Sequence, residues 1–388
     1  MKKLLAVVVL GLIWLAGCGS YDEDYEEYEK YDEQFSKWLY DIDYLMYVLE
    51  NNFVMFDAVY RIRGYDINAM ADRARALTLR QQGMTQARFQ NILDRSFRMS
   101  VAHFEFQLPL PEFLMQPPPA VHGIHTILPY YEVLSLRVLE EGRIAYIGMR
   151  TFMMDQVPFG PIFDFYHEIQ GFEHLIVDIR GAGGWVDRFF QTIVYPNITE
   201  PITARGYGFV QTGPYVVGTR HIPINSPRYM MLRGTGFTTD RRFTPIHEFL
   251  EEINLPMLYI SDTYRADYGF RVERAARPRL HEEFGGQVAF DGRIWVLICG
   301  GSMSGGQIVS WFIDETGFAT LVGETSGGYF GGYRANIHLP NSGVVLTFDV
   351  VYLTDSRGQA FEEGTRPHYF NLEGMDALET VLALIQTQ

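Results

Sequence analysis

The sequence predicts an α/β fold, a mostly parallel sheet covered by helices and preceded by a small helical N-terminal domain, and three observations carry that prediction. An apolar run of strand length, a helix-length segment and a second apolar run follow one another between Arg143 and Gly184. A β-α-β order of this kind joins parallel strands, because the chain returns to its starting edge through the helix. A second strand-turn-helix unit runs from Arg293 to Ile313, and residues 35–97 repeat apolar side chains at helical spacing.

Composition bounds what such a chain can do. With 388 residues, 47% hydrophobic and 15% aromatic, it buries a substantial core in one large or two moderate domains. Its formal net charge of -15 argues against nucleic acid or an anionic membrane surface as partner, since phosphate binding needs clustered Lys and Arg.

The N-terminus reads as targeting, not fold. Lys2-Lys3, the apolar Leu4 to Leu15 and then Leu15-Ala16-Gly17-Cys18 have the layout of a secretory signal over residues 1–18, and the apolar stretch is short for a membrane span. Leu-Ala-Gly-Cys also resembles the bacterial lipobox, which implies a lipid-modified Cys18, a membrane anchor and a place in the cell envelope. Residues 19–34 form an acidic, tyrosine-rich run that repels itself and reads as a solvated tether. The only other cysteine, Cys299, lies in an apolar strand and is expected to be buried and inert, so no internal disulfide is available if Cys18 is acylated.

The folded part is expected to begin near Phe35, with a helical N-terminal domain over 35–100 and an α/β core over 101–388. Phe35, Trp38, Leu39, Ile42, Leu45, Met46 and Leu49 have helical spacing, and Ile67 to Leu79 and Thr85 to Phe97 repeat it, with breaks at Gly64 and Gly83. Met99 to Phe106 carries His103 at the start of an aromatic strand, and a proline-rich loop follows from Pro109 to Pro119. Arg143 to Phe152 alternates as a strand, and a helix follows from Pro161 to Gln170. Leu175 to Arg180 is a buried parallel strand that ends in the glycine turn 181–184. Residues 199–286 are rich in Tyr, Arg, Phe and Gly, with short strands and a helix near Ile246 to Ile253, and read as a variable substrate-side region. Asn336 to Pro340 and Val344 to Tyr352 form a hairpin, after which Gly358 to His368 carries two adjacent glutamates.

The chemistry concentrates where the strand Arg293 to Cys299 gives way to Ser302-Met303-Ser304-Gly305-Gly306-Gln307 and a helix. A tight turn between a buried strand and a helix presents one side chain beside the free N–H groups of the helix start, and Ser304 is placed as a nucleophile would be. The same glycines and serines also suffice for a simple βα loop with a helix N-cap.

These residues, with Gly323-Glu324-Thr325-Ser326-Gly327-Gly328, resemble the tail-specific (C-terminal processing) serine peptidases, whose corresponding turns read Thr-Ala-Ser-Ala-x-Glu and Gly-Glu-x-Thr-x-Gly. The strand and turn Leu175 to Gly184 are similar to that family's Ile-Asp-x-Arg-Gly-Asn-x-Gly-Gly, with Ala182 in place of Asn. The resemblance implies a crotonase-like architecture, a nucleophile at Ser304, an oxyanion hole from the N–H groups of Gly181 and Gly305, a base at His103 and an orienting carboxylate at Glu362, favoured over Glu363. Asp178 and Arg180 are expected to orient the glycine turn. The processing peptidases' lysine is replaced by Gly328, so a Ser–Lys dyad is excluded on this alignment and the histidine becomes necessary. Between His103 and Arg143 there is no room for the family's PDZ domain, which brings the chain closer to the tricorn-core and retinoid-binding-repeat branch. The expected function is therefore a lipid-anchored serine peptidase acting on a peptide or protein substrate, without cofactor or metal. The alternative is a catalytically inactive member that binds a lipophilic ligand or peptide, with which Gln307 in place of the usual glutamate is compatible.

Overall fold

The computed structural model describes residues 33–99, 104–108, 133–153, 157–211, 238–239, 243–253, 265–328 and 334–387. Cys18, His103, the proline-rich loop and all but the last two residues of the acidic run lie outside them.

The chain opens with helices α1 (Glu33–Asn52), α2 (Ala58–Arg63), α3 (Ile67–Arg80) and α4 (Gln86–Ser96). Local capping sets their limits: Asp66 accepts from the Ala69 N–H and Thr85 from the Arg88 N–H, while Gly64, in the left-handed region, stops α2 directly after Arg63. Three of these helices follow the expected spacing. The short α2 does not, because with Ala58 and Val59 alone buried it is too brief for a periodic signal.

Strand β1 (Glu105–Gln107) follows, then β2 (Leu134–Glu140), β3 (Ile144–Met149), α5 (Gly160–Glu168), β4 (His174–Asp178), α6 (Asp187–Phe189), β5 (Ile202–Val210), β6 (Thr238–Thr239), β7 (Thr244–Pro245), α7 (Ile246–Ile253) and β8 (Tyr268–Ala276). The last part comprises β9 (Arg293–Ile298), α8 (Gly305–Thr316), β10 (Thr320–Gly323), β11 (Arg334–His338), β12 (Val345–Asp349), β13 (Val351–Asp355), β14 (Tyr369–Phe370) and α9 (Ala377–Gln386).

The central sheet has the order β14-β10-β9-β4-β3-β2, and every pair in it is parallel except β2 with β3. β9 is buried on both faces. Val296 and Ile298 join the core that contains Ile308, Val309, Trp311 and Phe312 of α8, while Trp295 and Leu297 pack with Ala377, Val381 and Ile385 of α9. Two covered faces explain why this strand reads as a continuous apolar run instead of an alternation. Apart from Leu39 and Tyr40 of α1, the buried apolar residues of α1 to α4 belong to the same cluster as the sheet, so the N-terminal helices and the α/β part share one core.

Three findings differ from expectation. The stretch Val344 to Tyr352 is not one hairpin strand: it breaks at Val350 into β12, which pairs with β11, and β13, which pairs with β5 in another sheet. Cys299 lies past the end of β9 and is half-buried; it opens the turn, its carbonyl accepting the Ser302 N–H at 2.8 Å and its sulfur the Gly301 N–H at 3.3 Å. In the region 199–286 the strands are not all short: β5 and β8 pair antiparallel over nine residues each and extend onto β13, building a separate sheet. Such pairing depends on partners far apart in sequence, which local composition does not record.

Candidate active site

The turn between β9 and α8 is pinned from below. The buried Ser302 hydroxyl accepts the Cys299 N–H at 3.2 Å and donates to the Ile179 carbonyl at 3.0 Å, tying this turn to the one after β4. Ser304 then sits at φ 52° and ψ -109°, the only non-glycine residue of positive φ among the described residues. An L-residue in that region carries strain that the surroundings must hold. The holding contacts are its N–H donating to the Gly328 carbonyl at 3.2 Å and its carbonyl accepting the Ile308 N–H at 3.1 Å. Ser304, a half-buried residue, precedes α8 without capping it, and its hydroxyl has no hydrogen-bond partner among the described residues.

The glycine turn after β4 lies directly against this serine turn. A Cβ on Gly301 would stand 3.1 Å from the Gly181 Cα, and one on Gly305 would collide with the Gly184 carbonyl, so both approaches depend on glycine. Gly305 is the first residue of α8, and its N–H has no acceptor within the helix; neither it nor the Gly181 N–H has an acceptor among the described residues. Asp178 accepts from the Tyr146 hydroxyl at 2.9 Å, the Arg180 N–H at 3.0 Å and Arg180 Nη2 at 2.7 Å, and Arg180 reaches on to Asp376 at 2.9 Å. These two charged residues thus brace the turn. Trp185, which follows that turn, and Met303, next to Ser304 in the chain, leave 56% and 45% of their surfaces exposed.

A third loop closes on the same place. The Glu362 carbonyl lies 2.7 Å from where a Cβ on Gly328 would be, and Gly328 is the residue that accepts the Ser304 N–H. Gln307, buried in the first turn of α8, donates to Thr365 Oγ1 at 3.0 Å and accepts from the Ser326 hydroxyl at 2.5 Å, while Ser326 Oγ accepts the Thr365 N–H at 2.7 Å. Gln307 therefore knits the helix to both neighbouring loops, a role its place in the sequence does not signal.

Of the two adjacent glutamates, the structure buries Glu362, 3% exposed, on the 3-10 turn Phe361–Glu363, and pairs Glu363 with Arg61 at 2.6 Å. Neither Glu362 carboxyl oxygen has a hydrogen-bond partner among the described residues. Burial pushes its pKa up to about 8, the buried Asp349 adding to the rise and Arg63 opposing it. No motif marks Asp349, although a carboxylate inside the apolar run Val344 to Tyr352 is a signal of a buried charge. His103 lies outside the described residues. Phe104 next to it packs on Phe97 and Phe53, and β1 pairs with β12, Glu105 opposite Thr347. Among the described residues no group of three His, Cys, Asp or Glu side chains gathers as a metal site, and no helix is long and apolar enough to cross a membrane.

The model of peptidase family S41 matches residues 143–370. The structure is similar to that of a candidate peptidase from Parabacteroides merdae, with a TM-score of 0.54 at 16% identity over 91% of this chain and 95% of that one. It is similar also to mature CPAF in complex with lactacystin, with a TM-score of 0.52 at 11% identity over 87% of this chain and 94% of that one. At these identities the likeness is one of fold. No curated protein sequence matches the chain.

Proposed function

The chain belongs to peptidase family S41, a family of serine-type peptidases, and from that premise we propose that it hydrolyses peptide bonds through an acyl-enzyme on Ser304. The observation that carries this reading is the strained Ser304, held between two backbone hydrogen bonds with its hydroxyl uncommitted among the described residues and two acceptor-free N–H groups on the loops beside it. The His103 imidazole takes the hydroxyl proton as Oγ attacks the scissile carbonyl, whose oxygen becomes an oxyanion at the N–H groups of Gly181 and Gly305. The proton then passes to the leaving amine as the C–N bond breaks, and water, activated by the same base, releases the acyl group. An oxyanion donor of this kind is worth on the order of 10²–10³ in turnover. Glu362 orients the base. What supports a histidine base is the sequence itself, which has Gly328 where the processing peptidases carry their lysine.

A serine-reactive phosphonate probe followed by peptide mapping tests the reading. Labelling is expected on Ser304 in the unmodified protein and none in Ser304→Ala, with peptide hydrolysis falling as pH drops through the histidine titration. A protein inert to both the probe and peptides would instead be a binding member of the fold.

We propose further that the protein is exported and held at the cell envelope by lipid on Cys18, supported by the lipobox-like Leu15 to Cys18 and the acidic run behind it. Cys18→Ser is expected to move the protein from the membrane to the soluble fraction; complete retention with the membrane would end this part of the reading.

A further inference from the structure

Helix α2 ends beside the loop that carries Glu362. Its last residue, Arg63, donates from Nη2 to the Glu362 backbone carbonyl at 2.8 Å, and two residues earlier Arg61 pairs with the Glu363 carboxylate at 2.6 Å. Both contacts cross about three hundred residues of sequence to reach the same 3-10 turn. The helix that presents the two arginines is firmly seated. Phe53, Val54, Met55 and Phe56 before it are all buried, Phe53 meets Phe348 edge-on at 5.8 Å, and Asp57 pairs with Arg265 at 2.5 Å. Gly64 then turns the chain away, so Arg63 stands at the point where α2 stops.

Resting on the catalytic reading above, we infer that Arg63 is a positioning residue for the candidate active site: it holds the backbone of the turn that bears Glu362 and sets a positive charge against that carboxyl group. The loop is held at other points too: Glu363 pairs with Arg61, the buried Phe361 packs on Trp311 at 5.1 Å, and the Gln359 side chain donates to the Gly364 carbonyl at 3.0 Å. Gln307 and Ser326 grip it at Thr365, three residues further on, while the Glu362 carboxyl makes no hydrogen bond among the described residues. The charged groups facing Glu362 are Asp349, from β12, and Arg63, from α2, and they act in opposite senses. Asp349 favours the neutral acid and Arg63 the carboxylate, so the balance between these elements sets how readily Glu362 carries the charge that orients a base.

The test combines turnover with stability. Glu362 keeps its proton in the folded chain up to about pH 8, whereas an unfolded glutamate releases it near 4.5, so folding stability falls as pH rises between those values. Glu362→Gln removes that fall and identifies it. In Arg63→Ala the upper end of the fall is expected to move to higher pH. For peptide hydrolysis the same variant should lose on the order of 10- to 100-fold in kcat, with KM within about twofold and the acidic limb of the pH–rate profile shifted upward. Arg63→Lys should restore the limb, because it keeps the charge. Arg63→Gln, which keeps a donor without the charge, replaces the alanine variant if that one does not fold. A wild-type limb and wild-type pH–stability curve in Arg63→Ala, or a lysine variant as displaced as the alanine one, would overturn the inference. Failure of the unmodified protein to react with the phosphonate probe would instead overturn the catalytic reading, and the stability curves would still decide the role of Arg63.

Discussion

Ser304 is where a single residue carries a stated thermodynamic load. A non-glycine residue at φ 52° and ψ -109° costs about 1–3 kcal/mol relative to an unstrained one, whereas glycine adopts the mirror-image extended region freely. The position nevertheless holds serine, which is what is expected where a hydroxyl is needed more than stability. Ser304→Gly is therefore expected to raise stability by about 1 kcal/mol over Ser304→Ala, after allowing for the entropy a glycine adds to the unfolded chain, with both variants inactive. Thermal unfolding of the two side by side checks this. An alanine variant at least as stable as the glycine one would show that the backbone there is not strained.

At the scale of elements, the site is a meeting of turns. The loops after β4, β9 and β10 end at one side of the central sheet, as connections at the carboxyl ends of parallel strands do, and the turn carrying Glu362 joins them through Gly328 and Thr365. The N-terminal helices are tied to the other part by buried polar groups. Asp41 on α1 is fully buried and accepts from the Asn341 N–H at 2.9 Å, its side chain at 3.1 Å and the Ser342 N–H at 2.7 Å, in the turn between β11 and β12. Burial raises its carboxyl pKa while those donors oppose the rise. Asp41→Ala would strand backbone donors in the interior and is expected to cost about 2–4 kcal/mol, measured by urea unfolding. A loss below about 0.5 kcal/mol would mean that α1 is held by apolar packing alone.

At the scale of the whole molecule, one apolar cluster runs from Trp38 of α1 to Phe361 beside Glu362, and this continuity lets a helix near the start of the chain act on a loop near its end. A chain that buried its N-terminal helices on a core of their own would leave α2 free to drift, and an arginine on it would have no fixed place to aim. The shared core supplies the rigidity, and the polar contacts of Arg61, Arg63 and Asp41 supply the register.

The sequence by itself determined what depends on neighbours in the chain. The strand-turn-helix around Ser304, the glycine turn after β4, the helix caps and the doubly buried β9 are all written in local spacing and in the need for glycine or apolar side chains at particular places. Only the tertiary structure decided which glutamate is buried, that Asp349 faces it, that Gln307 clasps two loops, that Cys299 has left its strand, and that Arg63 reaches Glu362. The reason is physical. Periodicity and turn chemistry act within a few residues, whereas desolvation and hydrogen-bond partnership depend on whatever the fold brings alongside, and here those partners come from opposite ends of the chain.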